Sequence, residues 1–250
     1  MIRRVPGDGG RVPDDVIVEE PLEIRLDGAR VATTMRTPGH DFELAVGFCH
    51  AEGLLGDVPV REVRYCATGS AVETRFNVVS VETGRPPLGG DTRRSGVVSS
   101  SCGVCGSDSI EALTEGLAPL PDAEIDLEVV LGVRPAGQEL FERTGGVHAA
   151  AVFSLNDGAV QLLREDIGRH NAVDKVVGAL RLAGALPASR SGLWVSGRAS
   201  FEIVQKAWAA GMPVVVSVSA ASALAVETAR RAGITLMGFA RDGAGVIYDR

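Results

Sequence analysis

Residues 192–239 read GLWVSGRASFEIVQKAWAAGMPVVVSVSAASALAVETARRAGITLMGF, and this stretch decides the fold. Gly192 to Ser196 is a short apolar strand, and Ala199 to Ala210 carries helical spacing. Pro213 to Val218 is a second apolar strand, followed by a helix from Ala220 to Ala232. Ile234 to Phe239 and Gly245 to Tyr248 close the chain as strands. Branched apolar strands alternating with helices signal a sheet covered on both faces, so this half is α/β. Just upstream, VHAAAVFSL and AVQLLRED flank Asn156-Asp157-Gly158 as two further strands. Gly168 to Ala183 is a helix whose apolar positions are Ala172, Val173, Val176, Val177 and Leu180.

The pattern loosens toward the N-terminus. Residues 1–15 cluster Gly, Pro and Asp as a flexible tail. VIVEEPLEIRL, from Val16 to Leu26, is extended, with Pro21 implying an edge or a break. Asp27-Gly28 signals a hairpin turn before a strand from Arg30 to Met35. Phe42, Ala45, Val46, Cys49, Gly53 and Leu54 recur at helical spacing. REVRYCAT and AVETRFNVVSV, within residues 61–82, alternate like strands. Gly84 to Gly96 is turn-rich. A short helix through IEALTEGL starts near Ser107 or Asp108, either of which can cap it. Asp126 to Leu131 suits a strand or part of a helix. The domain reading is therefore a tail at 1–15 and an α+β part at 16–120 carrying the CxxC loop. A connector at 121–143 and an α/β core at 144–250 follow.

The chain has 250 residues, 45% hydrophobic and 23% charged, so it is long and apolar enough to bury a sizeable core. Aromatics make up only 4%, which leaves Ala, Val, Leu and Ile to build that core. The formal charge of −7 argues against a nucleic-acid footprint, though a few Arg at helix starts can still hold a small anion. Four Cys in a chain of this length do not make a disulfide scaffold. The opening MIRRVPGDGG lacks an apolar signal core, and the soft stretch Met212 to Val226 is too short to span a bilayer. A cytoplasmic protein without membrane insertion is the expectation.

Cys102-Gly103-Val104-Cys105 is the sharpest chemical motif. Its spacing lets both sulfurs face one point, which suits a redox pair, half a metal site, or a nucleophile with a neighbour. Gly103 and Gly106 leave backbone N–H groups free to approach a bound group, and a following helix start lowers a thiol pKa. The plainer alternative is two incidental cysteines in a turn. His50-Ala51-Glu52 followed by Cys102-x-x-Cys105 echoes the zinc deaminases, but Ser101 replaces the expected Pro and His50 falls at a helix end. REDIGRHNAVDK at 164–175 puts Arg169, His170 and Asn171 in a first helical turn, with Asp166 as its cap. His148 at a strand start offers a base or a donor. Arg198, Ser200, Ser217 and Ser219 lie on small loops after strands, where an α/β sheet binds anions. No P-loop or dinucleotide fingerprint occurs.

Taken together these stretches resemble the formate dehydrogenase accessory sulfurtransferases, the FdhD family. The resemblance is carried by EEPLEIRLDG at 19–28, MRTPGHDFELAVGF at 35–48, SSCGVCGSDSIEAL at 100–113, TGGVHAAAVF at 144–153, REDIGRHNAVDKVVG at 164–178, the long run at 196–229 and GITLMGFAR at 233–241. It implies a cytidine-deaminase-like mixed-sheet core with a smaller α+β N-terminal part and no resident metal. It also implies sulfur transfer. A cysteine desulfurase loads sulfur as a persulfide, which passes to the bis-molybdopterin guanine dinucleotide form of the molybdenum cofactor for a formate dehydrogenase catalytic subunit. Cys102 matches the persulfide-forming cysteine and Cys105 the second of the pair. Phe239, Ala240, Arg241, Asp242, Gly243 and Ala244 match a cofactor-contacting segment. The helix starts at His170, Asn171, Arg198, Ser200, Ser217 and Ser219 then suit pyrophosphate and guanine, with GDP as a mimic. A homodimer is the expected assembly. The competing readings are a zinc-dependent deaminase or hydrolase, a chaperone that merely holds the cofactor, and a thiol–disulfide oxidoreductase.

Overall fold

A computed structural model describes residues 3–4, 12–66, 71–86, 111 and 113–248. Cys102, Cys105, the Ser99–Ser109 segment, most of the tail and most of the 84–96 linker lie outside the described residues. A two-residue ribbon pairs β1 (Arg3–Arg4) with β2 (Val12–Pro13). β3 (Glu20–Leu26), β4 (Ala29–Arg36), β5 (Glu62–Tyr65) and β6 (Val78–Glu82) form a four-stranded sheet in the order β4-β3-β6-β5. Helix α1 (Asp41–Ala51) covers it, burying Leu44, Val46 and Phe48 against Leu22, Ile24, Val79 and Val81. The turn joining β3 to β4 is Asp27-Gly28, with φ of 45° and 82°, the left-handed pair that a two-residue hairpin requires.

The second half is a six-stranded mixed sheet in the order β12-β11-β10-β9-β7-β8. Its strands are β7 (His148–Ser154), β8 (Val160–Asp166), β9 (Ser191–Val195), β10 (Val214–Ser217), β11 (Thr235–Arg241) and β12 (Ala244–Tyr248). β9, β10 and β11 run parallel, and the other pairings are antiparallel. The connector supplies α2 (Leu127–Leu131), capped by the Asp126 carboxylate, and α3 (Glu139–Thr144). The crossover helices are α4 (Arg169–Leu182), α5 (Phe201–Ala209) and α6 (Ala223–Ala232). Among the described residues no helix is long and apolar enough to cross a membrane.

The sheet is covered on both faces, as its apolar strands imply: α4, α5 and α6 pack on one face, and the connector's Val130 and Val133 cover Ala151, Trp194 and Val216 on the other. Three expectations need correction. Pro21 lies in a central strand, not at an edge. It is tolerated because β6 pairs with β3 only from Glu23 onward, so no third strand seeks the missing N–H. AVETRF is a turn rather than a strand, since Arg75 and Phe76 take left-handed φ of 51° and 58°. Asp166 does not cap the first turn of α4, whose N-cap is Gly168. Its Oδ1 accepts the Gly168 N–H and the Asn171 amide, and its Oδ2 faces Lys175 Nζ at 2.7 Å.

The two halves are joined by α1 lying against α4. Gly47 and Gly178 meet at the crossing, where a Cβ on either would stand 1.8 Å from the other helix's backbone carbonyl. The chain around α4 latches this contact. Arg164 Nη2 donates to Glu43 at 2.8 Å, Asn171 to Met35 O at 2.7 Å, and the buried Lys175 to Thr37 O at 3.0 Å. Thr37 N–H donates in turn to Asp166 at 3.1 Å. A second buried pair, Lys206 Nζ to Asp174 Oδ1 at 2.6 Å, ties α5 to α4. Burial pushes the Asp174 carboxyl up to about 7, against the opposing pull of Lys206.

Candidate functional site

The register of the large sheet brings the small loops to one edge. β7 runs antiparallel to β9, so His148 at its start lies beside the end of β9, where Ser196 N–H donates to Ala149 O and Ser196 Oγ accepts the Ala149 N–H. The loop after β9 and the loop after β10 are stitched together. Ala199 N–H donates to Ala220 O, and Ser222 N–H donates to Ala199 O. β11 joins them through Phe239 N–H to Ser219 O at 3.0 Å. The N-termini of α4, α5 and α6 therefore converge on one cleft, a favourable setting for negative charge.

Several expected site residues meet there, and some are committed elsewhere. Ser217 is fully buried. Its Oγ lies 2.7 Å from Gly197 O and accepts the Ser219 N–H at 3.1 Å, so this hydroxyl braces the loops. Asn171 faces inward to Met35 and Asp166. Of residues 164–175, Arg164, Asp166, Asn171 and Lys175 serve the latch, Asp174 holds Lys206, and Arg169 and His170 reach the cleft. Asp242 and Gly243 form the β11–β12 turn with φ of 51° and 78°, the same left-handed pair as Asp27-Gly28. Phe239 sits at the cleft's edge with φ of 52° and is 52% exposed, a backbone cost without a burial gain.

The cleft is cationic. Gly197 keeps it tight, since a Cβ there would lie 3.2 Å from His148 Nδ1 and 3.7 Å from Arg169 Cδ. Arg169 Nε is buried without a hydrogen-bond partner. Burial, then the neighbouring Arg198, lowers the Arg169 pKa. Burial, then Arg169, His170 and Arg198, holds His148 below the ordinary imidazole value. His170 is 8% exposed, and burial lowers its pKa against the raising effect of Glu202. His170 Nδ1 lies 2.9 Å from Glu202 Oε2, and its Nε2 lies 3.2 Å from Ser200 Oγ. The sequence places Arg169 in an anion-favouring helix start, whereas Glu202 carries no such reading there. The signal available was the pair of helix starts, Gly168-Arg169-His170 and Ser200-Phe201-Glu202, on neighbouring crossovers.

Other features lie away from this edge. His50 Nε2 is 3.0 Å from Ala209 O. Cys49 is fully buried, and burial pushes its thiol far up. A cavity of about 380 Å³ lined by Asp122, Asn156 and Arg190 opens at the opposite strand ends.

The family model described as FdhD/NarQ matches residues 17–250. A protein named sulfur carrier protein FdhD from Streptomyces avermitilis is 45% identical over 260 residues, covering 99% of this chain and 92% of its own. One of the same name from Anaeromyxobacter dehalogenans is 49% identical over 255 residues, covering 96% and 88%. A crystal structure of a candidate formate dehydrogenase accessory protein from Desulfotalea psychrophila superposes with a TM-score of 0.75 at 25% identity. It covers 100% of this chain and 95% of that one.

Proposed function

This chain belongs to the FdhD/NarQ family, and from that premise we propose that it carries sulfur on Cys102 from a cysteine desulfurase to a guanine-dinucleotide molybdenum cofactor. The observation that carries the reading is the CGVC motif at 102–105 inside a family match spanning nearly the whole chain. The Cys102 thiolate attacks the outer sulfur of the donor persulfide. A new S–S bond forms, the donor's inner sulfur leaves as thiolate, and no net oxidation occurs. The Cys105 thiolate then attacks Cys102 Sγ, the outer sulfur leaves at the sulfide level to the acceptor, and a cellular thiol reduces the Cys102–Cys105 disulfide that forms. The recipient enzyme is a formate dehydrogenase catalytic subunit, reached in the cytoplasm.

The cationic cleft supports the cofactor part of the reading. The Arg198 charge is near enough to Arg169 to lower its pKa, and the Nε of Arg169 lacks a hydrogen-bond partner. Two adjacent guanidiniums suit a diphosphate. Phe239, exposed at the edge, offers a face on which guanine stacks. His170, Ser200 and Ser219 line the same place, and Ala240, Arg241 and Ala244 continue the edge, on a core of deaminase-like parentage. The tail, the CxxC-bearing part, the connector and the core act as successive units of one chain, which works as a homodimer.

The test is complementation. In a bacterium deleted for its own family member, the wild-type chain restores formate dehydrogenase activity and Cys102→Ala does not, although it accumulates to the same level. Equal rescue by Cys102→Ala would replace sulfur transfer with cofactor holding. GDP should bind the wild-type protein and bind Arg198→Ala more weakly, and a titration without binding would remove the nucleotide part.

A further inference from the structure

The hydrogen bonds at the mouth of the cleft run in one direction. Glu202 Oε2 faces His170 Nδ1 at 2.9 Å, and a carboxylate can only accept, so Nδ1 carries the proton. The neutral ring then leaves Nε2 as an acceptor, and the group 3.2 Å from it is the Ser200 hydroxyl. Ser200 occupies the N-cap position of α5, yet its side chain makes no capping bond there. A serine at that position ordinarily turns back onto its own helix. This one turns to the imidazole, and the first N–H groups of α5 gain no side-chain acceptor from it.

From this geometry we propose that Ser200, His170 and Glu202 form a nucleophile, base and orienting carboxylate that transfer acyl groups from anionic esters. Order and atoms match the arrangement acyl-transfer enzymes use on unrelated folds: hydroxyl to Nε2, Nδ1 to carboxylate. His170 is nearly enclosed, and Ser200 is partly exposed, so the nucleophile is accessible while the base is shielded. Arg169, with its Nε unpartnered, and Arg198 at the rim select a substrate carrying negative charge. Ser200 Oγ bonds to the ester carbonyl carbon as its proton passes to His170 Nε2. The charge that develops on the carbonyl oxygen falls at the N-terminus of α5, whose dipole favours it. The C–O bond then breaks, and the alcohol leaves with the proton from His170. Water repeats the sequence on the acyl-serine, releasing the acid and restoring Ser200.

This inference shares the cleft assigned to the nucleotide but needs neither Cys102 nor sulfur. The full chain is therefore treated, without nucleotide or desulfurase, with a serine-directed fluorophosphonate, and the adduct is mapped by mass. The expected result is one adduct at Ser200, formed roughly a hundredfold more slowly in His170→Gln, the scale of a lost general base. Labelling should quicken as pH rises, with a midpoint below the ordinary imidazole value of 6.5. Burial, Arg169 and Lys206 lower the His170 pKa against Glu202, and His148 faces it from β7. Ser200→Cys guards against a folding defect, since its thiol should alkylate with iodoacetamide at a rate that again depends on His170. An adduct at another residue, no adduct, or a rate indifferent to His170→Gln would overturn the assignment. A failed GDP titration would leave it standing.

Discussion

Gly178→Ala adds a single methyl group at the one place where α1 and α4 touch backbone to backbone. The new Cβ would lie 1.8 Å from Glu43 O, 2.7 Å from Glu43 C and 2.8 Å from Gly47 N. Ordinary contact begins near 3.4 Å, so the helices must part by about 1.6 Å, and neither partner is a side chain that can swing away. A displacement of that size takes Asn171–Met35, Lys175–Thr37 and Thr37–Asp166, now at 2.7, 3.0 and 3.1 Å, beyond hydrogen-bond length. Three buried hydrogen bonds at about 1 kcal/mol each, with overpacking of about 1–3 kcal/mol, outweigh the helix-propensity gain of about 1 kcal/mol. The expected net loss is roughly 3–5 kcal/mol, a large share of a typical domain's stability. Urea unfolding followed by the fluorescence of Trp194 and Trp208 reads it. Gly47→Ala should cost a similar amount. The double variant should cost little more than either single, because the helices have already parted. A Gly178→Ala protein as stable as wild type, or single costs that simply add, would refute the close-packed crossing.

Lys206→Met removes the partner of a buried carboxylate and should cost about 3–5 kcal/mol in urea titrations near neutral pH. The Asp174 pKa is already raised by burial, and loss of Lys206 raises it further, so the folded variant retains a proton that the unfolded chain releases. The deficit should therefore grow as pH rises, and a deficit independent of pH would contradict this. His50 is held below the ordinary imidazole value by burial, so its contribution is present above 6.5 and is lost as pH falls. His50→Gln should consequently be more stable relative to wild type at about pH 5 than at about pH 7.5, and the reverse order would reject the burial assignment. Phe239→Gly relieves a left-handed backbone and should be neutral or stabilising by up to about 1 kcal/mol. It should also weaken GDP binding by the roughly 1–3 kcal/mol of a lost stacking contact. Unchanged binding would remove Phe239 from the nucleotide reading.

The alternation within 192–239 was legible because each strand is a short branched run and each helix follows a small loop. The Asp27-Gly28 hairpin is legible in the sequence, whereas Asp242-Gly243, a turn with the same left-handed pair, falls there within a cofactor segment. The turn at 71–76 was hidden, because left-handed Arg75 and Phe76 carry no local signal and are fixed by the chain around them. The role of REDIGRHNAVDK was half visible. A charged helix start reads as a ligand site, but which charges face inward depends on the Gly47–Gly178 crossing, a contact between residues distant in sequence. That is why Asn171 looked like a ligand and proves to hold Met35 O, while Arg169, one position before His170, reaches the cleft. Ser200 and Glu202 lie two apart in sequence, and only the neighbouring crossover brings His170 between them.

The central claim is that Cys102 accepts a transferable sulfur atom, and intact mass spectrometry tests it most directly. After incubation with a cysteine desulfurase and cysteine, the wild-type chain and Cys105→Ala should each gain the mass of one sulfur, removable by reductant, and Cys102→Ala should gain none. A Cys102→Ala protein that still acquires the sulfur, or a wild-type protein that never does, would contradict the account.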